Sequence, residues 1–120
     1  MPLDIETFKT GDLAFLKLKG SLTTGVSLNV AENRVQEIVA DGVKKLVLDL
    51  SQVTFADSSG LGMLVQSFGI ADRSGCKLRI AGANEKLRNM LHVTRMDSVL
   101  TLDSDVNTSL MQLYCPPDEV

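Results

Sequence analysis

The chain has two cysteines, one histidine and no excess of positive charge, and each scarcity removes a class of function. Cys76 and Cys115 are too few and too far apart for a small disulfide scaffold, and neither belongs to a Cys-x-x-Cys metal pair. They read as reduced thiols. Lys and Arg total 12 against 15 Asp and Glu, a net charge of −3, and no basic run or basic-aromatic patch offers the footprint of a nucleic-acid binder. No stretch reaches the ~18 apolar residues of a membrane span. The opening Met1-Pro2-Leu3-Asp4-Ile5-Glu6 lacks the basic and apolar regions of a signal peptide. These readings predict a cytoplasmic protein that neither inserts in membranes nor binds nucleic acid. A length of 120 residues is near the commonest domain size and needs one core.

What the chain does contain is an alternation of strand-like and helix-like segments, which predicts a single α/β domain. Ile5 to Lys9 and Leu13 to Lys19, separated by Thr10-Gly11-Asp12, suit an antiparallel hairpin. From about Gly25 to Asp41, the positions Leu28, Ala31, Val35, Ile38 and Val39 mark one helix face, closed by Gly42. Leu46-Val47-Leu48-Asp49-Leu50, with Val53 and Phe55, reads as a strand buried on both faces. Cys76 to Gly82 is the next strand, and Asn84 caps a short helix with Leu87, Met90 and Leu91 inward. Val99 to Leu102 reads as the last strand. A final helix after Asp103 or Ser104 carries Val106, Leu110 and Leu113 and stops at Cys115-Pro116-Pro117.

The most informative stretch is Asp57-Ser58-Ser59-Gly60-Leu61-Gly62. It stands between the central strand and a segment in which Leu61, Leu64, Val65, Phe68 and Ala71 recur at helical spacing, so the serines fall at a helix cap or first turn. Such a turn carries unpaired N–H groups and partial positive charge, at the sheet end where α/β ligands gather. On the helical wheel Met63 and Ile70 lie nearly opposite that stripe, beside Gln66, which predicts that they face solvent and form part of a docking face. Gly60-x-Gly62 lacks the third glycine of a dinucleotide fingerprint, and no Gly-Lys-Ser/Thr follows. The glycines instead leave one side of the first turn bare, open to close approach by another protein.

Phe55-Ala56-Asp57-Ser58-Ser59-Gly60-Leu61-Gly62 resembles the signature of the STAS family, the bacterial anti-sigma factor antagonists. Gly20-Ser21-Leu22-Thr23 is similar to the family's Gly-Glu-Leu-Asp turn, with Thr23 in place of the usual aspartate. Lys45 to Ser51 resembles its central strand, and Leu87 to Asp97 its late helix and following turn. The resemblance implies a mixed, mostly parallel sheet of four to five strands with an N-terminal antiparallel hairpin and about four helices, spanning residues 1–115, with 116–120 as a tail. It also implies a binding switch rather than an enzyme, with no cofactor or metal. Ser58 matches the residue phosphorylated by a partner that is both anti-sigma factor and ATP-dependent serine kinase. A serine phosphatase would reverse the step. Around Ser58, the expected partner surface comprises Ser21, Thr23, Asp57, Ser59, Gly60, Leu61, Gly62, Met63, Gln66 and Ile70. The oligomeric state is open between monomer and weak dimer.

Asp57 has two readings, one in which it holds the loop by accepting backbone N–H bonds and one in which it helps a kinase orient the Ser58 hydroxyl. A kinase brings its own base, which favours the first. Two alternatives differ in function. One keeps the fold but makes the chain a STAS subunit of a lipid-transport or stress-signalling complex. The other takes Ala56-x-Ser58-x-Gly60 as a serine-hydrolase elbow, followed by Asp72 and His92 in hydrolase order, though no oxyanion loop accompanies it.

Overall fold

The structure, a computed structural model, describes residues 3–114. Strands β1 (Asp4–Thr10) and β2 (Leu13–Leu22) pair antiparallel through a turn in which Gly11 takes a positive φ of 60°. The chain then alternates through helix α1 (Val26–Ala40), strand β3 (Lys45–Ala56), helix α2 (Ser58–Arg73), strand β4 (Lys77–Ala81), helix α3 (Glu85–Val93), strand β5 (Leu102–Asp103) and helix α4 (Val106–Tyr114). The five strands lie in sequence order, and every pair after β1–β2 is parallel. The expected hairpin, mixed sheet and four helices are all present. The expected tail 116–120 and the stop at Cys115-Pro116-Pro117 lie outside the described residues.

Strand alternation sorts side chains between two unequal layers. Leu16, Leu18, Leu46, Leu48, Leu50, Leu78 and Ile80 join one large core beneath α1, α2 and α3. Leu13, Val47 and Ala81 face the other way and meet Leu113 of α4, with Phe15, Val106 and Leu110 at the margin. All five residues expected on the inner side of α1 are buried there.

Three boundaries differ from the sequence reading. Strand β2 runs on through Gly20, Ser21 and Leu22, so only Thr23 of the expected Gly-Ser-Leu-Thr turn lies beyond it. Gly20, at φ 117°, accompanies a register shift against β3 that lets both strands reach the same rim. The last strand is two residues, not four. Val99 ends a 3₁₀ turn, Met96–Ser98, entered through Arg95 at a left-handed φ of 62°. The cap of α4 is Asp105, whose Oδ1 accepts from the Thr108 N–H at 2.7 Å. Asp103 is occupied elsewhere, taking two hydrogen bonds from the Arg79 guanidinium at 2.6 and 2.9 Å and one from Ser109 at 2.6 Å. Burial works against its charge, but the Arg79 and Ser109 bonds outweigh burial and hold its carboxyl below the usual range.

Candidate functional site

The carboxyl ends of β2 and β3 meet at one corner, where the Asp57 N–H donates to the Leu22 carbonyl at 3.0 Å. Helix α2 starts there. Asp57 is its N-cap, in extended conformation, and Ser58 and Ser59 are its first two residues. The Asp57 carboxylate serves two elements: Oδ1 accepts from the Gly60 N–H at 2.9 Å, and Oδ2 from the Thr24 N–H at 3.0 Å. The first bond caps the helix; the second ties the β2–α1 loop to it. The Thr24 bond, then the Gly60 bond, lower the Asp57 pKa from its ordinary value of 3.8, so the group is ionised at neutral pH. These contacts are the loop-holding geometry.

The two serines differ. Ser59 Oγ accepts from Thr24 Oγ1 at 2.7 Å, whereas the exposed Ser58 takes part in none of the corner's hydrogen bonds. The backbone N–H groups of both precede the first intrahelical donor, Leu61 N–H, which reaches the Asp57 carbonyl at 3.0 Å. Thr24 was not among the residues singled out from the sequence. Its role depends on a loop folding back over a strand end 33 residues later in the chain, which no local pattern reports.

The two glycines also part company. A Cβ on Gly60 would lie 2.7 Å from the Leu22 Cβ and nearer still to the Leu22 carbonyl, so its bareness serves the chain's own corner rather than a visiting protein. Gly62 has nothing within 4 Å of a Cβ position, and its side of the helix is open. It lines a groove of about 570 Å³ between the starts of α1 and α2, with Thr24, Val26, Asn29, Ser59, Met63 and Gln66.

Of the expected partner surface, that groove gathers Ser59, Gly62, Met63 and Gln66. Ser21 and Thr23 line a smaller adjoining hollow of about 200 Å³. Leu61 is in the core, and Gly60 is buried. The expectation that Met63 and Ile70 face solvent is wrong. Met63 is only 2% exposed, with its sulfur accepting from Ser67 Oγ at 3.3 Å, and Ile70 is half-buried against the core. Helix α2 packs on α1 as well as on the sheet, so its buried arc includes Gly60, Leu61, Met63, Leu64, Ser67 and Ala71. That arc is rotated by roughly 60° from the single stripe expected, at about 100° per residue. Val65 and Phe68 drop to half-buried in consequence. Gln66 is exposed, as expected.

The hydrolase arrangement is not assembled. Asp72 lies 14 residues along α2 from Ser58, ~21 Å at the helical rise, and the His92 Nδ1 is bonded to Asp97 at 2.9 Å on the far side of α3 from the core. Cys76 is buried, and burial pushes its thiol pKa up. No helix among the described residues is long and apolar enough to cross a membrane.

Comparison with known proteins agrees with this architecture. The anti-sigma F factor antagonist of Paenibacillus polymyxa is 24% identical over 108 residues, covering 89% of this chain and 92% of that protein. An anti-sigma factor antagonist from Mycobacterium paratuberculosis superposes with a TM-score of 0.78 at 20% identity, covering 91% of this chain and 92% of that one. The anti-sigma factor antagonist SpoIIAA in its unphosphorylated form gives 0.76 at 10% identity, covering 92% and 96%. The STAS domain model matches residues 4–109, and the chain belongs to the STAS domain family.

Proposed function

We propose that the chain is an anti-sigma factor antagonist whose binding is gated by phosphorylation of Ser58. The observation that carries this reading is the division of labour at the α2 corner. Asp57 and Ser59 are engaged in holding Thr24, while Ser58 projects its hydroxyl from the rim without a structural task. The name of the structural relative SpoIIAA, described in an unphosphorylated form, points the same way. The partner is an anti-sigma factor that is also an ATP-dependent serine kinase, and a serine phosphatase resets the switch. The chain itself binds and is modified; it does not catalyse.

Unmodified, the rim formed by Asp57, Ser58 and Ser59 and the groove containing Thr24, Gly62 and Gln66 dock on the anti-sigma factor and free the sigma factor. Ser21 and Thr23 extend that surface along the smaller hollow, whereas Met63 and Ile70 act by supporting α2 from within. Phosphorylation adds about −1.5 to −2 charge beside an Asp57 that is already ionised. The helix start tolerates an anion locally, because its first N–H groups and dipole favour one. The added charge opposes Asp57 and anything acidic the partner brings, so the fold persists while the complex is lost.

An affinity capture from a native lysate of the producing cell, with and without ATP, tests this reading. The expected result is an ATP-binding protein retained without ATP and released once Ser58 carries phosphate. Retention unchanged by ATP, with Ser58 fully phosphorylated, would contradict the gating.

A further inference from the structure

The surface opposite the serines is unequally covered. Helix α4 lies over β3, β4 and β5, while β1 and the outer half of β2 have no helix on that side. Thr7 accepts from Arg34 of α1, and Ile5 packs on the large core, so Asp4, Glu6 and Phe8 point to the uncovered face. So do Phe15, Lys17 and Lys19, which alternate with buried Leu16 and Leu18. The antiparallel register puts Phe8 opposite Phe15, Glu6 opposite Lys17 and Asp4 opposite Lys19. Phe8 is 55% exposed. Among the described residues none of these four charged groups enters an ion pair, although Lys17 also stands beside Asp49 of β3.

We propose that this face is a dimer interface in which the β1–β2 hairpin of one copy stacks on that of a second copy. The charge layout is self-complementary under one particular symmetry. A two-fold axis parallel to the strands, midway between β1 and β2 and below the face, keeps every residue at its level and exchanges the two strands. It therefore lays Glu6 over the second copy's Lys17, Asp4 over its Lys19, and Phe8 over its Phe15, each contact made twice. An acidic row on β1 and a basic row on β2 have no such match if the axis runs across the strands. Sheets stack ~10 Å apart, about the thickness of one helix layer. The second sheet would lie at the level of α4 and beside it, on the side where α4 leaves the face open. The patch is small, with its aromatic pair at the turn end of the hairpin and the two charged pairs following along the strands, which makes the dimer weak and reversible. The Ser58 corner, at the strand ends, stays accessible in both copies.

Sedimentation equilibrium of the full chain up to about 1 mM, the weak end of specific association, is the test. Wild type is expected to dimerise. Phe8→Ser removes the one apolar contact of the patch from an exposed position and should raise the dissociation constant by about tenfold or more with the thermal midpoint retained. Glu6→Lys puts Lys over Lys, and Lys17→Glu puts Glu over Glu, so each alone should be monomeric. An equimolar mixture of those two variants restores opposite charges at both contacts and should form a heterodimer. If either charge variant fails to fold, Phe8→Ser decides. A wild type that stays monomeric throughout, a dimer indifferent to Phe8→Ser, or folded charge variants that do not recover on mixing would each overturn the proposal.

Discussion

Two corners of this molecule solve the same local problem with different chemistry. At the start of α2, Asp57 caps the N–H of Gly60 at 2.9 Å; at the start of α3, Asn84 caps the N–H of Leu87 at 2.8 Å. Both caps follow the carboxyl end of a strand. The difference lies in the second atom of each side chain. Asp57 uses it to accept from the Thr24 N–H at 3.0 Å, and Asn84 uses its amide to donate to the Val53 carbonyl at 3.2 Å. Two donors converge on position 57, so only a carboxylate satisfies both; a donor and an acceptor converge on 84, so only a carboxamide does. The fixed charge at the α2 corner therefore follows from tying down the β2–α1 loop. It is also the charge that a phosphate on Ser58 would meet.

The largest expected effect separates the two glycines beside Asp57. Gly60→Ala drives a methyl into the Leu22 backbone and should cost about 3 kcal/mol, the upper end of the overpacking range. Gly62→Ala meets open space and gains helix propensity, so its midpoint should hold or rise. Thermal denaturation of the pair reads both. Equal losses would mean that the corner is looser than the Leu22 contact implies.

Exchanging the caps should break each corner in its own way. Asn84→Asp turns a carboxylate against the Val53 carbonyl and should destabilise α3 by about 1 kcal/mol, the worth of a cap. Asp57→Asn leaves the Thr24 N–H facing an amide that cannot accept from it. The sign of its pH dependence follows from the lowered pKa of Asp57. The folded chain favours the ionised carboxylate, so the contribution is complete above the unfolded value near 3.8 and is lost as pH falls through the lower folded value. The midpoint gap between wild type and Asp57→Asn should thus be steady at neutral pH and narrow below 3.8. A gap that widens in acid would refute the Thr24 tie.

Ser58→Asp should have the smallest effect on folding, within about 0.5 kcal/mol for an exposed position, and a large effect on anti-sigma binding. A substantial fall in midpoint would make Ser58 a structural residue.

The two corners also show how far the sequence could be read. Asn84 was legible as a cap because capping is local: a short polar side chain, a donor three residues on, and a helical apolar pattern behind it. At α2 the sequence reading put the serines at the cap or first turn; they are the first turn, and the cap is Asp57. The β2–α1 tie was not legible, since Thr24 is one threonine among several until the chain folds. Met63 was misplaced for a related reason. A wheel assumes one buried stripe, and α2 packs on both a sheet and α1, so its apolar arc outgrows the stripe. The shortened β5 is a third case, because Val99-Leu100-Thr101-Leu102 has strand composition, yet the left-handed turn at Arg95 and the 3₁₀ segment consume its first residues.

Mapping the phosphorylated residue by mass spectrometry, after incubation with the cognate anti-sigma kinase and ATP, tests the account most directly. A single phosphate on Ser58, absent from Ser58→Ala and accompanied by loss of kinase binding, is the predicted result. Phosphate confined to Ser59 or Thr23 would contradict it, as would full Ser58 occupancy with binding unchanged.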